Sequence, residues 1–164
     1  MIAKKPLVYT DCRLLLDNIR SVHNVGSIFR TADTLGITRI YCIGTTPVPT
    51  DRFGRKRADF SKVSLGAEDS VAWEHQDDAE EVVTKLKIEG FEIIALEQSE
   101  NSVDYKTVSL KSHTLVVLGN EVNGVSPEIL KSVDVVAEIP MKGTKESLNV
   151  SVAGAIFLYR LRDQ

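Results

Sequence analysis

The sequence has few of the residues that build metal sites, disulfides or membrane spans. Its two cysteines, Cys12 and Cys42, show neither metal-binding spacing nor a disulfide pattern, so we expect packing residues in a reducing, cytoplasmic compartment. The histidines, His23, His75 and His113, show no ligand spacing, which argues against a metal site. No apolar run approaches the roughly 20 residues that a membrane-spanning helix needs, and the amino-terminal stretch has no hydrophobic signal core.

Basic residues are also in the minority. Lysine and arginine number 20 against 23 aspartates and glutamates, for a net charge of −3. This balance excludes a protein whose whole surface binds polyanions, but it allows a local basic patch. A basic run at 52–57 contains Phe53, and such a cluster suits phosphate contact and base stacking by RNA. Its predicted RNA-binding residues are Arg52, Arg55, Lys56 and Arg57. A mobile, solvated loop is the alternative.

The chain length of 164 residues fits one domain, which we expect to span 1–164. Apolar runs predict strands at 13–17, 39–43, 91–96, 114–118 and 133–139. Periodicity and caps predict helices at 24–35, 77–89, from 126 onward and at 150–161, with a helical turn within 58–67. This alternation indicates an α/β fold with a mostly parallel sheet and helices on both faces. The run at 114–118 is apolar throughout and should be the central strand.

The last helix is apolar nearly all round. Val150, Ala153, Phe157 and Leu161 form one stripe at helical spacing, and further apolar residues occupy much of the remaining surface. A helix of this kind is buried on more than one side. One core of this size rarely covers two faces of a terminal helix, so we expect a homodimer in which the second face meets another subunit.

A first candidate site is the segment 24–30. Asn24 can cap a helix, and Gly26 and Arg30 lie opposite its apolar stripe. Gly26 would then clear space for a ligand or partner to approach the Arg30 guanidinium. The alternative is a capped helix with a solvated Arg30 paired to Asp33.

Two polar loops follow buried strands, at 119–126 and at 139–149. In open α/β sheets ligands bind at the carboxyl ends of the strands, so both loops should lie at one ligand-binding edge. The first could instead be a polar turn built on Asn123 and Gly124. The second could be a solvated connection with Ser147 or Asn149 as the helix cap.

Three segments carry a family resemblance. LDNIRSVHNVGSIFRTADTLGI, VVLGNEVNGVS and IPMKGTKESLNVSVAGAIFLYRL resemble, in order, the three motifs of the SpoU/TrmH family of RNA ribose methyltransferases, in the SPOUT superfamily. Together they span nearly the whole chain. The resemblance implies a C-terminal trefoil knot, a homodimer, S-adenosylmethionine as methyl donor and a ribose 2′-hydroxyl of tRNA or rRNA as acceptor. It also implies a single methyltransferase domain without the separate RNA-binding extension that many members carry.

The resemblance further implies individual roles. The matched catalytic residues are Asn24, Arg30, Glu121, Ser147 and Asn149. The matched donor-binding residues are Leu96, Gly119, Asn120, Gly124, Ile139, Met141, Ser147 and Leu148. Arg30 is a reluctant base, because a guanidinium has a pKa above about 12. We therefore assign it to an RNA phosphate and to the developing alkoxide, oriented by Glu121, and leave open whether it also removes the proton. It could serve a donor bound on the other subunit.

Two other functions fit parts of the pattern. One is a non-catalytic knotted dimer that binds RNA without turnover, against which the complete set of matched catalytic residues speaks. The other is a nucleotide-binding α/β protein with different chemistry, and titration with S-adenosylhomocysteine would distinguish it.

Overall fold

The structure, a computed structural model, describes residues 10–163, in which strands and helices alternate. The strands are β1 (Asp11–Asp17), β2 (Arg39–Ile43), β3 (Ala72–Gln76), β4 (Glu92–Leu96), β5 (Val103–Asp104), β6 (His113–Leu118) and β7 (Val135–Glu138). The helices are α1 (Val22–Leu35), α2 (Ala58–Ser64), α3 (Ala67–Ser70), α4 (Ala79–Ile88), α5 (Pro127–Leu130) and α6 (Val150–Arg162).

All strands join one parallel sheet in the order β3-β2-β1-β6-β4-β7-β5. The prediction that 114–118 is central is confirmed, since β6 lies between β1 and β4. Leu118 at the end of β6 pairs with Leu16 of β1 and with Leu96 of β4. The carboxyl ends of the inner strands are therefore level and share one edge, from which the loops after β4, β6 and β7 depart.

Apolar side chains alternate between the two faces of the sheet. In β6, Val116 and Leu118 belong to a core beneath α1 and α6, whereas Leu115 and Val117 belong to a core beneath α4. Both faces are thus covered by helices, as predicted, which explains the continuous apolar runs of the inner strands. The thiols of Cys12 and Cys42 are buried in the first core, and burial raises the pKa of each to about 12. They are packing residues, as predicted.

Two edge strands and one helix start differ from the sequence prediction. β3 and β5 were not predicted, because AWEHQ has no apolar alternation and β5 has only two residues. Helix α1 begins at Val22, and its cap is Ser21, whose side chain accepts from the Asn24 N–H. The prediction of Asn24 as the cap was wrong, and its side chain is instead buried and free to bond elsewhere.

Helix α6 is buried on one side only. Asn149 caps its start by accepting from the N–H groups of Ser151 and Val152. Its inward face comprises Gly154, Phe157, Leu158 and Leu161. Its outward face is also apolar, with Val152, Ile156 and Tyr159 exposed by 46%, 39% and 44%. Neither α6 nor any other helix within 10–163 is both long and apolar enough to cross a membrane.

Candidate active site

A cavity of about 430 Å³ opens at the carboxyl edge of the sheet, beside the ends of β4, β6 and β7. Its volume lies within the roughly 300–1,000 Å³ usual for small-molecule sites. Every residue predicted to bind the donor lines it, namely Leu96, Gly119, Asn120, Gly124, Ile139, Met141, Ser147 and Leu148. Glu121 and Asn149 line it too. The fold thus brings the second and third sequence motifs together at this edge.

The loop after β6 folds back on itself so tightly that its first residue must be glycine. A Cβ atom on Gly119 would lie 2.3 Å from the carbonyl carbon of Gly124 and from the backbone nitrogen of Val125. Asn120 and Gly124 exchange two backbone hydrogen bonds of 2.9 Å each. The Asn120 side chain also accepts from the Val122 N–H at 2.9 Å. The loop is therefore closed by its own backbone, which brings Gly119 and Gly124 together beside the cavity.

A chain of hydrogen bonds joins all three motifs. Asn24 donates from Nδ2 to Oε1 of Glu121 at 3.0 Å, and its Oδ1 accepts from Nδ2 of Asn149, also at 3.0 Å. Glu121 accepts in addition from the N–H groups of Arg20 and Ser21, at 3.1 and 3.2 Å. Within the chain, Glu121 thus fixes the start of α1 rather than orienting Arg30 as predicted.

These contacts set the charge state of Glu121. Burial by itself would raise the pKa of the carboxyl group. The hydrogen bonds from Arg20, Asn24 and Ser21 outweigh it and hold the pKa below its ordinary value of 4.5. Glu121 is therefore ionised at neutral pH. The hydrogen bonds of this chain then all run in one direction, because Asn149 donates to Asn24 and Asn24 donates to Glu121.

Glu97 also lines the cavity, and sequence reasoning missed it. Its carboxylate accepts from the Gln98 N–H and from the Val125 N–H, both at 2.9 Å, so it braces the loop after β6. The sequence feature that could have identified Glu97 is its position directly after the apolar run that forms β4. With Glu121 and Glu138 it makes a lining that has three carboxylates and, among the described residues, neither lysine nor arginine. Such a cavity favours a cationic ligand.

Arg30 lies outside this cavity. It is exposed on α1 and lines a separate depression together with His23, Lys62 and Tyr159. Its guanidinium has no hydrogen bond or ion pair within residues 10–163. The alternative pairing with Asp33 does not form, since Asp33 accepts from the Ser70 hydroxyl.

Gly26 has a different role from the predicted one. It is buried, and a Cβ there would lie 2.9 Å from the Cβ of Val63, so the glycine lets α2 approach α1. It does not clear space for a ligand beside Arg30, and that prediction was wrong. Ser147, by contrast, borders the cavity as predicted, and its hydroxyl makes no hydrogen bond with the described residues.

A sequence model of the SpoU rRNA Methylase family matches residues 11–159. The chain belongs to this family. It is 34% identical to a tRNA (guanosine(18)-2′-O)-methyltransferase of Aquifex aeolicus, over 94% of this chain and 70% of that protein. It is 33% identical to a 23S rRNA (guanosine-2′-O-)-methyltransferase of Neisseria meningitidis, over 92% of this chain and 58% of that protein. The fold matches an AdoMet-bound rRNA methyltransferase from Sinorhizobium meliloti with a TM-score of 0.84 at 26% identity, over 93% of this chain and 56% of that one.

The residues that line this SpoU site suit a methyl donor that carries a sulfonium group. S-adenosylmethionine has a positive sulfur, which an acidic lining without cations favours. Leu96, Leu118 and the exposed side chain of Leu148 supply apolar contact, and the loop that begins at Gly119 brings backbone groups close. Within 10–163 no group of three or more histidine, cysteine, aspartate or glutamate side chains could hold a metal ion.

The basic run of this SpoU chain lies in the loop between β2 and α2, away from the cavity. Thr50 and Lys56 form an antiparallel bridge there, so the run is part of a small hairpin. The structure does not bring its side chains to the lining of the donor cavity. The loop leaves the carboxyl end of β2, and Lys56 within it pairs with Asp69 of α3, just before β3 starts.

Proposed function

We propose that the protein transfers a methyl group from S-adenosylmethionine to a ribose 2′-hydroxyl of tRNA or rRNA. One observation carries the proposal. The second and third motifs line a single acidic cavity, and Asn24, which donates to Glu121 and accepts from Asn149, ties the first motif to it. The family membership and the relatives that methylate tRNA and rRNA riboses support the same reaction.

The donor would be held mainly by backbone groups and apolar side chains. The loop of Gly119 and Asn120, the strand end at Leu96, and the segment from Ile139 to Leu148 surround the space for it. When bound, S-adenosylmethionine supplies an electrophilic methyl group on a sulfonium. Glu97, Glu121 and Glu138 place negative charge around that cation. Transfer needs the oxygen, methyl and sulfur in line, so the rigid bracing of the loop by Glu97 serves alignment.

The acceptor hydroxyl would meet the polar residues at the mouth of the cavity. The Ser147 hydroxyl borders the cavity and can donate to or accept from a ribose oxygen. Asn149 is fixed by Asn24 and by the start of α6, so it offers a preset partner. Arg30 would bind the neighbouring phosphate and stabilise the developing alkoxide with charge-assisted hydrogen bonds.

A homodimer would supply the cation that the cavity lacks. The lining has no lysine or arginine, whereas the free guanidinium of Arg30 lies on another face. Tyr159 belongs both to the depression around Arg30 and to the exposed apolar face of α6. We therefore infer that this face joins two subunits, and that Arg30 of one subunit serves the cavity of the other.

Three finer features belong to the same proposal. The segment 139–162 would complete a C-terminal trefoil knot, to which the 2.9 Å hydrogen bond from Gln98 Nε2 to the Glu146 carbonyl would contribute. Residues 10–163 would act as one methyltransferase domain, with the hairpin residues Arg52, Arg55, Lys56 and Arg57 at the RNA. An RNA substrate and two unpaired cysteines fit a cytoplasmic location.

Methyl transfer can be measured directly. The purified protein is incubated with radiolabelled S-adenosylmethionine and total tRNA or rRNA from cells that lack its gene. We expect label in RNA, at a nucleotide that becomes resistant to alkaline cleavage at its 3′ side. Titration calorimetry with S-adenosylhomocysteine tests the cavity separately. Donor binding without label in any RNA would refute methyl transfer, and absence of donor binding would refute the assignment of the cavity.

A further inference from the structure

The hairpin between β2 and α2 has a rigid turn. Asp51 organises it, because its Oδ1 accepts from the N–H groups of Phe53 at 2.8 Å and Arg55 at 3.0 Å. Gly54 has a φ of 76°, and its N–H donates to the Asp51 carbonyl at 2.9 Å. The tip is thus held by its own backbone and by one carboxylate, so the side chain of Phe53 projects in a preset direction.

Phe53 is a large aromatic residue held in solvent. Its side chain is 66% exposed, and it packs against neither core of the sheet. The guanidinium carbons of Arg52 and Arg55 lie 4.7 and 5.1 Å from the centre of its ring. A rigid, exposed ring flanked by guanidinium groups is the arrangement with which proteins stack single-stranded bases.

Within residues 10–163, three basic residues of the hairpin are paired with carboxylates, and one is not. Arg55 pairs with Asp51 at 2.7 Å, Lys56 with Asp69 at 2.6 Å, and Arg57 with Asp59 at 2.6 Å. These three pairs carry no net charge, and the pair of Arg55 with Asp51 lies within the hairpin itself. Arg52 has no carboxylate partner within the described part of the chain, and its contact there is with the ring of Phe53.

We propose that Phe53 stacks on an unpaired base of the RNA substrate, while Arg52 leaves the ring and binds an adjacent phosphate. This inference rests on the proposed function and narrows its RNA contacts. Stacking of a base on an aromatic side chain is stronger than an exposed cation–π contact, so a base can displace Arg52. Arg55 stays in place because Asp51 holds it through both Nε and a terminal nitrogen.

The loop that carries the hairpin starts beside the donor loop. Ile43 at the end of β2 pairs with Asp17, and Leu16 pairs with Leu118 just before the donor loop. Two strand spacings separate the starts of the two loops, which is about 10 Å. Asn18 bridges them, since its Oδ1 accepts from the Thr45 N–H and its carbonyl accepts from Nδ2 of Asn120 at 2.6 Å. The start of the loop that carries the hairpin is therefore fixed relative to the donor loop.

Substitutions at the ring test stacking. Binding of total tRNA from cells that lack the gene is measured for Phe53→Ala, Phe53→Leu and Phe53→Trp. We expect Phe53→Ala to weaken RNA binding about 5- to 150-fold, the range for loss of one stacked base. Phe53→Leu should remain weak and Phe53→Trp should recover, because stacking needs an aromatic face. Affinity for S-adenosylhomocysteine should not change. The control is Ile88→Ala, which removes an apolar side chain, 83% exposed, from the end of α4.

The dependence of binding on salt separates Arg52 from the paired cations. Loss of one phosphate contact should reduce the slope of log affinity against log salt by about 0.7 for a single strand. We expect this for Arg52→Ala, with Lys111→Ala, just before β6, as the charge control. Phe53→Ala should weaken binding without changing the slope. The stacking role would be overturned if Phe53→Ala bound RNA as tightly as the wild type, or if Phe53→Leu fully recovered binding. An altered oligomeric state of Phe53→Ala would overturn it as well. A wild type that binds no RNA would refute the proposed function instead.

Discussion

Replacing Gly119 with alanine tests the loop on which the proposed donor site depends. The added Cβ would lie 2.3 Å from two backbone atoms, whereas ordinary van der Waals contact begins at 3.4 Å. The loop must therefore open by about 1 Å, because neither neighbour is a side chain that could rotate away. This movement would strain or break the two hydrogen bonds between Asn120 and Gly124.

The expected size follows from these contacts. Two backbone hydrogen bonds contribute about 1–3 kcal/mol together, and overpacking costs about 1–3 kcal/mol more. We expect Gly119→Ala to lower the free energy of unfolding by about 2–6 kcal/mol, and Tm by about 4–24 °C for a domain of this length. A displacement of 1 Å at a positioning loop can lower kcat/KM by about 100-fold.

Thermal melts followed by circular dichroism and calorimetry with S-adenosylhomocysteine measure the two effects separately. Gly143→Ala is the matched control, since a Cβ there would meet no atom within 4 Å, and we expect wild-type melting and donor affinity. A Gly119→Ala protein that melts and binds donor like the wild type would refute the packing argument. Lower Tm with unchanged donor affinity would mean that the donor binds elsewhere.

Three further predictions concern the polar and apolar surfaces around the site. Arg30→Ala should lower methyl transfer about 100- to 1,000-fold with Tm and donor affinity unchanged, because the guanidinium has no partner within 10–163; loss of donor binding would contradict its role. Ile156→Glu should give a monomer in light scattering while Ile88→Glu does not, and an unchanged dimer would misplace the interface. Glu121→Gln should lower Tm at neutral pH. Because the pKa of Glu121 is depressed, its stabilisation is full above 4.5 and lost as pH falls through the folded value, so the two melting curves should converge in acid.

The interior of the fold could be predicted because burial leaves a strong pattern. β6 is covered on both faces, so its residues are apolar at successive positions and read as a central strand. The edge strands carry no such pattern. β3 pairs on one side only, and its residues are half-buried or exposed, so nothing in AWEHQ favours a strand over a loop.

The site could be predicted as far as the sheet places it. Parallel strands put the loops after β6 and β7 at one edge, and that edge holds the cavity. Individual contacts could not be predicted, because they depend on which of several similar side chains lies closest. Ser21 and Asn24 can both cap a helix, and only the structure shows that Ser21 does so while Asn24 bonds to Glu121. Glu97 carries no motif, and its role follows from the approach of Val125.

The distribution of charge explains why a SpoU methylase site would need two subunits. A cavity with three carboxylates attracts a sulfonium, but it repels the phosphates on either side of the acceptor ribose. A lysine or arginine within the same lining would offset that repulsion and weaken the attraction for the donor. Arg30 lies on an outer face beside the apolar surface of α6, so in the proposed dimer the cation would reach the cavity only when two chains associate. Under this proposal the donor cavity would remain acidic while the assembled site would hold RNA, so loss of the dimer should abolish methyl transfer before it abolishes donor binding.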